Sequence, residues 1–298
     1  MALATEETFD VEAFAMRCAR LAQEHAERDE TEARMRSATA MQRWGVKVPQ
    51  PLRLTIDDVI ARYRTSWLRY AERLIQVLDW PAFQGRTFHA LDFSEIGVDP
   101  DCGMLGFAAN DQLHLLAADL LPARVTTKPA AAVAINTARI AHVVGRPEVD
   151  DPEDEAVWVG RVVGAVAVHE YSHHLDAAAA GGQPTNFGSL RRIVDSVAAR
   201  TTKPVYNAGH HGPRWVRAYA HLLHRGRSLA GHKPRAALFE IDIDDRLPGQ
   251  ADAVLAALSD ELNAAGSGDV PLVDILRTPA PAGFLELFNQ TKTAAPAA

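Results

Sequence analysis

The sequence predicts an α+β protein in which a small β-sheet accompanies one long apolar helix, with further helices at both chain ends. Three observations predict it. Residues 5–43 are rich in Ala, Glu, Arg and Met with few breakers, which favours helix. Between Thr87 and Ile140 the apolar residues fall into short runs separated by turn residues, which favours strands. Ala156 to Ala180 is a long segment apolar on nearly all sides, as a buried helix is. The chain divides on this reading into a helical N-terminal region (1–80), a core (81–230) and a C-terminal helical extension with a disordered tail (231–298).

The 298 residues suit one large domain, or a catalytic domain with additions. The net charge of −7 gives no global basic signature for nucleic acid. Met1 to Val11 is acidic and has no apolar signal region. The long apolar segment contains Arg161, so it reads as a core helix and no membrane partner is expected. Cys18 and Cys102 are too few for a disulfide framework or a four-cysteine zinc ribbon, and a cytoplasmic protein is expected.

In chain order, Glu24, Glu27, Arg28, Asp29 and Glu30 give the first helices a solvated face. Gly45 to Pro51 breaks the pattern. Thr55 is an N-cap before Ile56-Asp57-Asp58 and starts a helix running to about Leu78, with Trp67, Leu68, Leu74 and Val77 as its buried stripe. Phe88 to Phe93 alternates weakly. Gly106–Ala109 and Gln112–Leu116 flank Asn110-Asp111, which predicts a hairpin. Ala131 to Ile140 reads as another strand, either an edge able to pair with an extended peptide or a plain core strand. Asp151 can cap the long helix, Pro152 suits its first position, Glu153, Asp154 and Glu155 complement its dipole, and Gly181-Gly182 stops it.

That helix carries His169-Glu170-Tyr171-Ser172-His173, an HExxH pattern. Residues four apart share a helix face, so His169 and His173 can bind one zinc ion, with Glu170 placed to take a proton from an activated water. About 0.03 such matches are expected by chance in a chain of this composition. Burying two His and a Glu is costly without partners, and a metal supplies one. Asp176 shares the ligand face and either orients an imidazole or contacts an arginine; His174 is rotated about 100° away from His173.

A catalytic zinc commonly has three protein ligands and an open position. The continuation HExxHxxGxxH fails, because positions 176 and 179 are Asp176 and Ala179. Asp195 and Glu240 are later carboxylate candidates. His210-His211-Gly212-Pro213-Arg214-Trp215 precedes an amphipathic helical pattern, and a His at that helix entrance can be aimed at a metal on a neighbouring helix.

HExxH followed by HGPxW and an amphipathic helix resembles the SprT-like zincin metallopeptidases, the family that includes Spartan-type proteases. The resemblance covers about residues 130–226 and implies a zincin-like metallopeptidase core, one Zn²⁺ held by His169, His173 and His211, and Glu170 as catalytic base acting on a peptide or protein substrate. His210 remains an alternative to His211. The chain departs from the family in its long gap between His173 and His211, in Arg214 where an acidic residue is common, and in lacking a following zinc ribbon.

A donor to the oxyanion is also needed, and Tyr171, Tyr206 and Tyr219 are candidates, with Tyr219 favoured by its place after His211. His221 and His224 are three apart and could form a second metal pair or an exposed helix face. Arg200, Lys203, Arg214, Arg217, Arg225, Arg227, Lys233 and Arg235 lie in a stretch without acidic residues, a local patch for DNA or a surface that pairs with the acidic N-terminal segments. Helix resumes at about Pro248, and Thr291 to Ala298 reads as a disordered tail. The rival to a zinc-dependent peptidase is a non-catalytic zinc-containing or nucleic-acid-associated module, against which Glu170 argues.

Overall fold

The computed structural model describes residues 54–102, 104–109, 129–145, 148, 149, 151–181, 211–229, 239, 242, 243, 247–266 and 268–294. The helices expected within residues 5–43 lie outside them. In chain order the regular elements are β1 (Leu54–Thr55), α1 (Ile56–Leu78), β2 (Thr87–Asp92), β3 (Gly106–Ala109), β4 (Pro129–Ile135), α2 (Thr137–Val144), β5 (Glu148–Val149), α3 (Pro152–Ala179), α4 (Pro213–Leu229), α5 (Ala251–Ala257), α6 (Ser259–Ala264), α7 (Leu272–Arg277) and α8 (Ala282–Ala294). The fold is mixed α+β, mostly helical, with a small three-stranded sheet. No described helix is long and apolar enough to cross a membrane.

Thr55 starts α1 through a reciprocal cap: its hydroxyl accepts from the Asp58 N–H, and Asp58 Oδ2 accepts from the Thr55 N–H at 3.0 Å. The buried face of α1 matches the expected stripe in part, with Leu74 partly buried against the core. Trp67 and Leu68 are buried, but Val77 is 38% exposed, and Ala71, Ile75 and Leu78 complete the face instead. That face packs on α3, where small residues permit close approach. A Cβ on Gly160 would sit 2.9 Å from Trp67 Cδ1, and one on Gly164 would sit 2.7 Å from Tyr70 Cε1. Trp67 fixes the crossing by donating its indole N–H to the Ala156 carbonyl at 2.7 Å.

In the sheet, β4 lies between β2 and β3. It runs parallel to β2, with Ala90 opposite Val133, and antiparallel to β3, with Phe107 opposite Ala134. The strand expected from Ala131 to Ile140 therefore stops at Ile135 and is central, with β2 and β3 as the two edges of this sheet among the described residues. The Gln112–Leu116 half of the expected hairpin lies outside them. Asn136 ends β4 because its side chain is committed elsewhere: Oδ1 accepts from the Arg139 N–H and caps α2, while Nδ2 donates to the Pro100 and Met104 carbonyls.

Asp151 caps α3 by accepting from the N–H groups of Glu153 and Asp154, and Pro152 follows at the first position. At the other end Gly181 takes a φ of +70°, a conformation suited to glycine. Helix α4 lies against α3 and carries three buried polar side chains at four-residue spacing: Arg217, His221 and Arg225. Arg217 forms a two-pronged pair with Glu261 on α6, at 2.8 and 2.7 Å, and His221 Nε2 lies 2.6 Å from the same carboxylate. Arg225 donates to Asp79, which also accepts from the Tyr171 hydroxyl and the Leu272 N–H. Asp79 is fully buried, and this desolvation raises its pKa despite those donors.

One hydrophobic cluster contains Ile75 of the N-terminal helix, Val133 of the sheet, Val163 of α3, Trp215 of α4 and Phe284 of α8. The regions 1–80, 81–230 and 231–298 thus share a core. The expected tail is corrected at its start: α8 continues to Ala294, so Thr291–Ala294 are helical.

Candidate metal centre

The 3.6-residue period of α3 puts His169 and His173 on one face, with ring centroids 5.1 Å apart. His211 lies two residues before the first residue of α4, where Pro213 occupies the first helical position and the Gly212 carbonyl accepts the Val216 N–H. Its ring centroid is 5.1 Å from that of His169 and 5.2 Å from that of His173. One candidate ligand atom from each of the three residues lies within 4.8 Å of the other two. Three zinc–nitrogen bonds of about 2.0–2.1 Å need nitrogens about 3.4 Å apart, so at most an ångström or so of side-chain adjustment brings the set to bonding geometry. The donors are neutral-capable imidazoles on two elements already packed together, and they fit a zinc ion.

Trp215 explains the aromatic residue of the HGPxW segment. It is fully buried, stacks on His211 at 3.9 Å between centroids, and reaches within 5.0 Å of His169 and 5.3 Å of His173. One indole therefore backs all three imidazoles. The Arg214 Nε donates to Asp176 Oδ1 at 2.7 Å, which tethers the start of α4 to the end of α3. The arginine contact read for Asp176 is present. His174 stacks on Tyr171 at 5.7 Å, away from the cluster.

Glu170 projects from α3 toward β3. It is 8% exposed and accepts a hydrogen bond from the Ala108 N–H. Gly106 makes this approach possible, since a Cβ there would lie 2.9 Å from Val166 Cγ1, 3.0 Å from the Ala134 carbonyl and 3.1 Å from Glu170 Cγ. Burial pushes the Glu170 carboxyl up to about 7, with the nearby Asp242 adding to the rise and His169 and the Ala108 N–H opposing it. A carboxyl poised there exchanges a proton readily near neutral pH.

Sequence reasoning missed Asp242. Its Oδ2 lies 3.3 Å from His169 Nδ1, and its side chain is 5% exposed. Burial works against a charged His169, but the Asp242 carboxylate outweighs it and raises the imidazole above its ordinary value. The available signal was an acid inside an apolar run, Phe239-Glu240-Ile241-Asp242-Ile243. The singled-out Glu240, with Asp195, Tyr206 and His210, lies outside the described residues.

The other expectations divide. Tyr219 sits beside the cluster, its ring 6.3 Å from His169 and 5.2 Å from Trp215. Tyr171 is excluded as an oxyanion donor, because its hydroxyl points into the core and donates to Asp79 at 2.8 Å. His221 is neither a ligand beside His224 nor exposed, since it is buried against Glu261. Burial lowers the His221 pKa, against the pull of Glu261. In the basic stretch, Arg214, Arg217 and Arg225 are committed to Asp176, Glu261 and Asp79, and the last two arginines are buried. Arg217 and Arg225 therefore do not form part of an exposed patch, whereas Arg214 is exposed.

No protein-family description, no curated protein and no solved structure matches the chain.

Proposed function

We propose that the chain is a zinc-dependent peptidase with a zincin-like core of the SprT-like kind. The observation that carries this reading is the convergence of His169, His173 and His211 beside the buried carboxyl of Glu170. A purely structural three-histidine site has no need of a neighbouring acid whose proton is mobile near neutral pH. Bound by the three imidazoles, zinc would supply Lewis acidity toward a peptide carbonyl and toward water.

The chain's own residues do the rest. Glu170 takes the proton of the attacking water and returns it to the leaving amine. The Ala108 N–H and the packing of Val166 and Gly106 hold that carboxyl in one place. Tyr219, next to His169, serves as hydrogen-bond donor to the oxygen that gains charge. β3, one of the two edges of the three-stranded sheet among the described residues, offers backbone groups to an extended peptide alongside Glu170.

The test pairs two variants. Glu170→Gln is expected to keep one zinc per chain by elemental analysis and to lose peptide turnover by about 10²–10⁴-fold or more. His211→Ala is expected to lose most of its zinc. A Glu170→Gln protein that cleaves peptides at the wild-type rate overturns the reading.

A further inference from the structure

The carboxylate of Asp242 touches the metal cluster from a segment far outside the HExxH and HGPRW motifs. Its oxygen lies 3.3 Å from Nδ1 of His169. An imidazole has two ring nitrogens on opposite sides, so engaging Nδ1 leaves Nε2 as the atom free to coordinate. The contact is buried on the acid's side, with 5% of the Asp242 side chain exposed. A carboxylate does not remain there without a partner, and this imidazole is the partner shown.

The segment is also anchored. Phe239 and Ile243, on either side of Asp242, are fully buried. The Phe239 ring packs edge-on against Tyr219 at 5.3 Å. These two apolar side chains fix the backbone that presents Asp242, so the carboxylate is held against His169 rather than swinging free.

We infer that Asp242 is a positioning residue for the metal centre: it accepts the Nδ1–H of His169, fixes the tautomer and ring orientation, and aims Nε2 at the ion held with His173 and His211. This rests on the proposed metal centre. A carboxylate behind a ligand imidazole raises the ligand's basicity, and losing such a partner costs about 10–100-fold in metal affinity.

The experiment measures zinc affinity by chelator competition for the full-length wild type, Asp242→Ala and Asp242→Asn, with thermal unfolding of each metal-free protein alongside. The expected result is a loss of about 10–100-fold in affinity for Asp242→Ala. A smaller loss is expected for Asp242→Asn, whose amide oxygen still accepts the Nδ1–H. The absorption spectrum of the fully cobalt-loaded variants should keep the wild-type form, because the ligands are unchanged. An Asp242→Ala protein that binds zinc as tightly as wild type overturns the inference, even if its unfolding temperature falls, since that pattern marks a merely structural role. A cobalt spectrum that changes in both variants also overturns it, by making Asp242 itself a ligand. A wild type that binds no zinc brings down the metal centre as a whole, which distinguishes that failure from this one.

Discussion

Glu170 stores a conflict that can be measured. Its carboxyl is buried beside His169, and its pKa of about 7 lies well above the ordinary glutamate value of 4.5. A carboxyl raised on folding contributes stability that is fully present below the unfolded value and is lost as pH rises through the folded one. In the metal-free protein this loss spans about pH 4.5 to 7. Glutamine carries no such charge. Glu170→Gln is therefore expected to be about 2–3 kcal/mol more stable than wild type at about pH 8, with the gain vanishing near pH 4. Thermal unfolding in the presence of chelator checks it, and equal stability at the higher pH would contradict the assigned environment. The pair His169 and His173 was readable from helical spacing, and His211 from the resemblance carried by the HGPRW segment, both local signals. Asp242 was not, because its meaning lies in a contact with a residue 73 positions earlier, and nothing local in Ile241-Asp242-Ile243 names that partner.

Among the elements, β3 and α3 are locked at one glycine. A methyl group at Gly106 meets Val166, the Ala134 carbonyl and Glu170 Cγ at 2.9, 3.0 and 3.1 Å. One of these contacts is backbone and cannot rotate away. Gly106→Ala is expected to cost about 1–3 kcal/mol in urea unfolding and to lower peptide turnover further than that loss explains, since β3 carries the N–H that holds Glu170. Helices α1 and α3 were legible almost to the residue because their caps, Thr55 and Asp151, act within three positions of themselves. The pairing of β3 with β4 was not, since sheet partners are chosen across the chain. The end of β4 was missed for a related reason: Asn136 stops the strand by bonding to Pro100 and Met104, more than thirty residues away.

For the whole molecule, one buried site joins described residues of all three regions. Asp79 of the N-terminal part, Tyr171 and Arg225 of the core, and Leu272 of the C-terminal part meet at one buried carboxylate. Asp79→Ala leaves Arg225 charged and buried without its anion and removes the acceptor of two further donors. The expected cost is about 3–5 kcal/mol, read by denaturant unfolding, and a loss below about 1 kcal/mol would show the node to be incidental. The sequence held a signal for this too: Arg217, His221 and Arg225 form a polar stripe on an otherwise apolar face of α4, a pattern that calls for buried acids elsewhere. Of the two readings of the basic stretch, a DNA patch and a surface for acidic N-terminal segments, neither named Glu261 or Asp79 as the acid that pairs with Arg217 or Arg225. The node also orders events in time. The bond from Leu272 to Asp79 spans 193 residues, and that from Arg225 to Leu78 spans 147. A chain emerging from the ribosome has its HExxH helix exposed long before the residues that brace it are made. The bracing of that helix through Tyr171 and Asp79 is complete only when Leu272 is in place.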